Sequence, residues 1–215
     1  MTVDNSDSDS DSDRSSRLTI EQTVGLEANN QGCSYYVKNG INQDYDKAAS
    51  YFKLATAYGN SAGQYNLGFL YQVGKGVIKD SMQAFRWHKL SADQGDSDAQ
   101  FSLGNMYRYG KGVTQDINEC VRYYKLAAEQ GNTSAQFSLG LMYDCGLGVN
   151  RDYNESVIWW KMAAEQGDSN AQYCLGRMYR YGHGVKQNAK EALKWFTLSA
   201  EQGHSVSKSN LSIFH

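Results

Sequence analysis

The sequence predicts an all-α fold built from repeated helix pairs, an α-solenoid, and three observations support this prediction. First, several residue types recur every 36 residues along the chain. Second, the apolar residues of each copy follow two successive helical periods. Third, the chain contains no proline, so its 21 glycines must supply the stops between helices.

The repeat is visible as columns of equivalent residues in successive copies. Because several columns share one phase, the pattern indicates a structural unit that is stacked several times. The clearest columns are Gly68, Gly104, Gly140 and Gly176, then Tyr71, Tyr107, Tyr143 and Tyr179, and then Trp87, Tyr123, Trp159 and Trp195.

Each copy predicts two helices, which we call helix A and helix B. Ala99, Leu103 and Met106 follow the i, i+4, i+7 spacing of one face of helix A, and Cys120 and Tyr124 begin a similar face of helix B. We therefore expect about five antiparallel helix pairs followed by a C-terminal capping helix. The predicted copies are about 26–59, 60–95, 96–131, 132–167 and 168–203, with a partial cap over 204–215.

Capping signals mark the start of both helices. Thr133 with Gln136 is a candidate capping box for helix A, and Asp152 with Glu155 is the analogous pair for helix B. Glycine inside helix A, as at Gly140, costs about 1 kcal/mol relative to alanine. Its return in every full copy predicts that helix B packs closely against it.

The N-terminal segment has a different composition. Residues 1–20 alternate aspartate with serine and contain few apolar side chains, so they predict a disordered acidic tail. Ser6, Ser8 and Ser10 each precede an aspartate by three residues, a pattern typical of sites for acidophilic kinases. A purely solubilising tail is the alternative interpretation.

Charge and composition exclude several classes of function. The net charge of −2 does not favour a nucleic-acid partner, and no apolar run is long enough to span a membrane. Without a signal-peptide pattern we expect an intracellular, cytoplasmic location. The cysteines lack metal-ligand spacing, so we expect no metal and no cofactor. They are Cys33, Cys120, Cys145 and Cys174.

The columns combine into a recognisable motif, A-Q-[FY]-x-L-G-x-M-Y-x-x-G-x-G-V followed by A-E-Q-G, over residues 60–203. This motif closely resembles the Sel-1-like repeat family, which is related to tetratricopeptide repeats. The resemblance implies a right-handed superhelix in which helix A lines a concave surface. It also implies a non-enzymatic scaffold or adaptor that binds other proteins.

At every candidate catalytic position, a structural role explains the residue better than a catalytic role. Helix capping explains the carboxylates Asp116 and Asp152, and His88 and His183 lack a consistent partner. Some cysteine-rich members of the resembled family are linked to hydrolysis of β-lactams, but they carry a regular cysteine pair in each repeat, which this chain lacks. A hydrolase and a self-associating structural solenoid remain the alternatives, and the oligomeric state, including a monomer, stays open.

A partner-binding surface is expected where the copies differ while the scaffold stays the same. The face of helix A opposite Leu103 and Met106 changes in size and charge from copy to copy. If helix A lines the concave surface, this face would meet a segment of a partner protein, and an ordinary solvated face is the alternative. The predicted partner-binding residues are Asn105, Arg108, Tyr109, Leu141, Asp144, Arg177, Arg180 and Tyr181.

Overall fold

The computed structural model describes residues 8–37 and 43–211, with side chains from Thr19 onward. Within these residues the chain forms α-helices and no strand, which confirms the predicted all-α solenoid fold. The helices are α1 Ser8–Val37, α2 Tyr45–Ala57, α3 Ser61–Val73, α4 Ser81–Asp93, α5 Ser97–Tyr109, α6 Ile117–Glu129, α7 Thr133–Cys145, α8 Tyr153–Glu165, α9 Ser169–Tyr181, α10 Ala189–Glu201 and α11 Ser205–Leu211.

The chain divides into two compact units. Unit 1 comprises Met1–Ala99 and Lys111–Val113, and unit 2 comprises Gln100–Gly110 and Thr114–His215. From α2 to α10 every helix is 13 residues long, which reflects the constant length of the repeat. None of the described helices combines the length and the apolar character needed to cross a bilayer.

The first helix extends further than the sequence pattern suggests. α1 begins at Ser8, so residues 8–20, which were expected in a disordered tail, form its first turns. The candidate phosphorylation site Ser6 lies outside the described residues, whereas Ser8 and Ser10 lie within α1.

Glycines inside helix A allow the close approach of a helix B ring, as the sequence predicts. A Cβ atom added at Gly140 would lie 2.5 Å from the indole of Trp160, well inside van der Waals contact. An added Cβ at Gly176 would lie 2.6 Å from the ring of Phe196. The cost of glycine in a helix is therefore offset by the packing of the opposing ring.

The predicted aromatic core is confirmed in the column that faces these glycines. Its five members are fully or almost fully buried, namely Phe52, His88, Tyr124, Trp160 and Phe196. In the neighbouring column, Tyr123 and Trp195 are buried while Trp87 and Trp159 are half-buried. The first column therefore forms the centre of the core, and the second forms its edge.

The caps of helix B agree with the prediction, but the caps of helix A do not. Asp152 Oδ1 accepts hydrogen bonds from the backbone N–H of Asn154 and Glu155, at 2.8 and 3.2 Å. Helix A is capped one residue earlier than predicted, since Asn132 Oδ1 accepts from the N–H of Ala135 at 2.9 Å. Thr133 is instead the first residue of α7.

The glutamine expected in the helix A capping box has a different role. Gln136 is buried, and its Nε2 donates to the carbonyl oxygen of Ala128 at 3.1 Å. Its Oε1 accepts from Nε2 of Gln166 at 2.7 Å, so it joins three helices. Equivalent glutamine pairs occur in other repeats, namely Gln94 with Gln64, Gln130 with Gln100, and Gln202 with Gln172.

The C-terminal helix α11 packs as the expected partial repeat. Ser207 is fully buried, and its hydroxyl donates to the hydroxyl oxygen of Ser199 on α10 at 2.7 Å. His204 Nδ1 caps the helix by accepting from the N–H of Ser207 at 3.2 Å. The end of the predicted cap, residues 212–215, lies outside the described residues.

Candidate functional site

The residues predicted to bind a partner all lie in unit 2, on the last two turns of α5, α7 and α9. The opposite side of each helix is buried, as Leu103 and Met106 show on α5. Tyr109 and Tyr181 are 58% and 55% exposed, and the other six residues are half-buried. We call these eight residues the helix-A face: Asn105, Arg108, Tyr109, Leu141, Asp144, Arg177, Arg180 and Tyr181.

Asn105, Tyr109 and Tyr124 surround the Arg108 side chain. The hydroxyl of Tyr124 donates to Asn105 Oδ1 at 2.7 Å and lies near the Arg108 guanidinium. The guanidinium carbon of Arg108 lies 5.3 Å from the ring centroid of Tyr109, a cation–π distance. Arg108 is thus oriented by neutral groups, so its positive charge is not neutralised.

Burial beneath this group keeps its neighbours uncharged. Burial is the largest effect on the Cys120 thiol and raises its pKa to about 11. Burial likewise raises the pKa of the Tyr124 hydroxyl well above its ordinary value. Both groups stay protonated at neutral pH, so Arg108 is the charged member of the group.

A shallow cleft opens beside Arg108 between α5 and α7. It has a volume of about 190 Å³ and is lined by Arg108, Leu141, Met142, Cys145 and Leu147. Its wall therefore combines one cation with apolar side chains and an exposed thiol. This composition suits an amphipathic side chain better than a small polar substrate.

The arginines of α9 are also held by neutral partners. Arg180 Nη1 donates to Asn210 Oδ1 on α11 at 2.8 Å, and its guanidinium lies 5.3 Å from the Tyr181 ring. The guanidinium of Arg177 lies 6.0 Å from the ring of Tyr173. Reasoning from the sequence missed Asn210, although it occupies the register of Cys174 one repeat later.

The side chains considered for catalysis have structural roles. Asp116, like Asp152, caps a helix, with its Oδ1 accepting from the N–H of Asn118 at 2.9 Å. The ring of His183 stacks on Tyr153 with centroids 5.0 Å apart, and burial raises the pKa of the Cys174 thiol to about 12. In the part of the chain that the structure describes, no cluster of three or more His, Cys, Asp or Glu residues is placed to hold a metal ion.

Comparison with known proteins gives one consistent result for the repeat. A model of the Sel1 repeat matches the chain five times, over residues 32–60, 61–96, 97–132, 133–168 and 169–204. Among curated proteins, none matches this chain.

Two solved structures are similar in both sequence and fold. The first is c5321 of uropathogenic Escherichia coli, a protective antigen with an SLR fold, with 36% identity and a TM-score of 0.80 over 92% of this chain. The chain covers only 41% of the length of that protein. The second, a Sel1 repeat protein from Oxalobacter formigenes, has 31% identity and a TM-score of 0.78, covering 87% of this chain and 75% of that one.

Proposed function

Because the chain belongs to the Sel1 repeat family, we propose that it is a non-enzymatic scaffold whose helix-A face binds a segment of a partner protein. Proteins of this family commonly serve as scaffolds for protein interactions. The proposal assigns the binding to unit 2, where all eight residues of the helix-A face lie. It requires no cofactor and no chemical step.

One observation carries the proposal. The buried positions of α5, α7 and α9 are the same or similar in each helix, whereas the helix-A face changes from Asn105 to Leu141 to Arg177 at a single register. Packing alone does not require this variety, because these residues are only half-buried. Variation on a constant scaffold is what selective recognition of a partner would need.

The side chains of the face are also suited to binding. Tyr109 and Tyr181 expose more than half of their surface while an arginine orients each ring. Arginine and tyrosine are enriched among the residues that contribute most to the free energy of binding at protein interfaces. Since both rings are already held by a neighbour, little side-chain entropy would be lost on binding.

Affinity capture followed by mass spectrometry tests the proposal. The four-fold alanine variant of Arg108, Tyr109, Arg180 and Tyr181 is expected to lose the proteins captured by the native chain. A matched control changes two cations and two exposed leucines on helices B of the same unit. The control residues are Arg122, Leu126, Lys194 and Leu198.

Folding must be verified for both variants by circular dichroism, because Arg180 also bonds to Asn210. The control variant is expected to capture the same proteins as the native chain. If the folded variant of the helix-A face also captures that same set, the proposed surface is wrong.

A further inference from the structure

The arginines of the helix-A face differ from two cations on helices B of unit 2, Arg122 and Lys194. On helices B, Arg122 Nη2 lies 2.8 Å from a carboxylate oxygen of Glu119, and Lys194 Nζ lies 3.7 Å from Glu191. These cations are therefore neutralised by carboxylates of their own helices.

By contrast, Arg108, Arg177 and Arg180 form no ion pair with any described carboxylate. Their contacts are with tyrosine rings and the Asn210 amide, and the Tyr124 hydroxyl lies near Arg108. These contacts orient the guanidinium groups and leave their charge available. Half-buried arginine is less screened by water than a fully exposed cation, and its planar donors match a carboxylate in pairs.

The helix-A face contains one carboxylate, Asp144, among its arginines. Asp144 occupies on α7 the register that Arg108 and Arg180 occupy on α5 and α9. A carboxylate in the last turn of a helix opposes the helix dipole, so helix stability does not account for Asp144. A uniformly acidic segment would be repelled at this point, whereas a segment with two separated acidic sites would not.

The expected separation of the two acidic sites follows from helix packing. α5 and α7 line one cleft, and Leu141 of α7 packs against the core cluster that contains Met178 of α9, so these helices are successive neighbours. At about 8–10 Å between neighbouring helices, α5 and α9 would be separated by about 16–20 Å. An extended chain advances about 3.3 Å per residue, so this distance corresponds to about five or six residues.

We propose that the helix-A face recognises an extended partner segment with acidic side chains at two sites about five or six residues apart, and with neutral or basic side chains between them. One acidic site would meet Arg108, and the other would meet Arg177 and Arg180. Asp144 would face the middle of the segment. This inference rests on the proposed function, and it adds the chemistry of the partner.

Selection from a random 12-residue peptide library displayed on phage, using the full chain as bait, separates the two proposals. Enrichment of peptides with two spaced acidic sites supports the inference. Enrichment of neutral or basic peptides that bind the helix-A face would overturn the acidic chemistry and leave the proposed function standing. If no peptide is enriched over an unrelated helical protein, both proposals fail.

The enriched peptide, labelled with fluorescein, then measures the role of each charge by fluorescence anisotropy. Arg108→Gln is expected to weaken binding about tenfold, and raising the salt concentration is expected to weaken binding by the native chain. The matched control Arg122→Gln, which removes a cation already paired with Glu119, is expected to change affinity less than twofold. Equal effects of the two substitutions would overturn the inference.

Two further variants test the pattern of charge. Asp144→Asn is expected to improve binding of a uniformly acidic peptide more than binding of the enriched peptide. A full chain with Asp4, Asp7, Asp9, Asp11 and Asp13 changed to Asn is expected to bind the enriched peptide as the native chain does. Tighter binding by that variant would show that the acidic N-terminal segment occupies the face, and would overturn the assignment to a partner.

Discussion

Two helix B positions of the same register, His88 in unit 1 and Trp160 in unit 2, are filled in different ways. Both rings are fully buried against a glycine of helix A, Gly68 or Gly140. Trp160 Nε1 donates to the carbonyl oxygen of Phe137 at 3.1 Å. Neither ring nitrogen of His88 has a hydrogen-bond partner among the described residues. The register therefore requires a planar ring opposite glycine, and hydrogen bonding by that ring is an addition particular to each repeat.

Removing the Trp160 ring should have the largest effect on the stability of the fold. Trp160→Ala is expected to lower the free energy of unfolding by about 3–5 kcal/mol, because it leaves a large cavity and removes a hydrogen bond. Urea denaturation followed by circular dichroism measures this change. The neighbouring Trp159 is only half-buried, so Trp159→Ala is the matched control and should cost clearly less. Similar losses for the two variants would contradict the central position of Trp160.

Adding a side chain at Gly140, opposite the Trp160 ring, should have the next largest effect on stability. Gly140→Val is expected to destabilise the fold by about 1–3 kcal/mol, because the new side chain would overlap the indole of Trp160. The double variant with Trp160→Leu should recover part of this loss relative to Trp160→Leu alone. Thermal melting curves provide the comparison, and an unchanged curve for Gly140→Val would refute tight packing at this glycine.

Replacing the unsatisfied ring should stabilise unit 1. His88→Phe keeps a planar ring opposite Gly68 and removes two buried nitrogens that have no hydrogen-bond partner among the described residues. We expect the free energy of unfolding to rise by about 1–2 kcal/mol, in proportion to the desolvation cost of such groups. A loss of stability in urea denaturation would mean that the imidazole contributes a favourable interaction in the core.

The burial of His88 also predicts that the stability of the fold depends on pH. Burial lowers the pKa of His88 from 6.5 to about 4 in the folded chain. The stabilising contribution of the neutral ring is therefore fully present above pH 6.5 and is lost as the pH falls from 6.5 towards 4. Over this range the native chain should lose more stability than His88→Phe, as thermal melting at several pH values would show. Parallel pH profiles would contradict the burial of His88.

Much of the fold could be predicted because each structural requirement, such as a glycine for close packing or a cap, is visible at several equivalent positions of the repeat. The glycine at position 140 and its equivalents indicated close helix packing, and Asp152 indicated the cap of helix B. The cap of helix A could not be placed, because Thr133 with Gln136 fits a capping box as well as Asn132 fits a simple cap. The choice depends on Gln136 turning into the core towards Ala128, a contact between helices that local sequence does not specify.

The candidate site could be predicted only as a set of positions. Variation between the copies located Arg108 and Arg180 on one face of helix A. It did not show that the Tyr124 hydroxyl lies beside Arg108 or that Asn210 accepts a hydrogen bond from Arg180, because both contacts form between different helices and local sequence does not specify them. These contacts distinguish the arginines of the helix-A face from the paired cations of helices B.

The glutamine pairs have a consequence for how such a chain can change its length. Each pair, such as Gln166 with Gln136, joins two residues 30 positions apart inside one repeat, and Gln136 also reaches back to Ala128 of the repeat before it. Gln172 forms the same two kinds of bond, with Gln202 in its own repeat and with Ala164 of the repeat before it. Excising residues 132–167 would join Gly131 to Asp168, which recreates the native Gly167–Asp168 junction. Duplication or loss of whole repeats can therefore alter the number of repeats without requiring a new kind of contact between them.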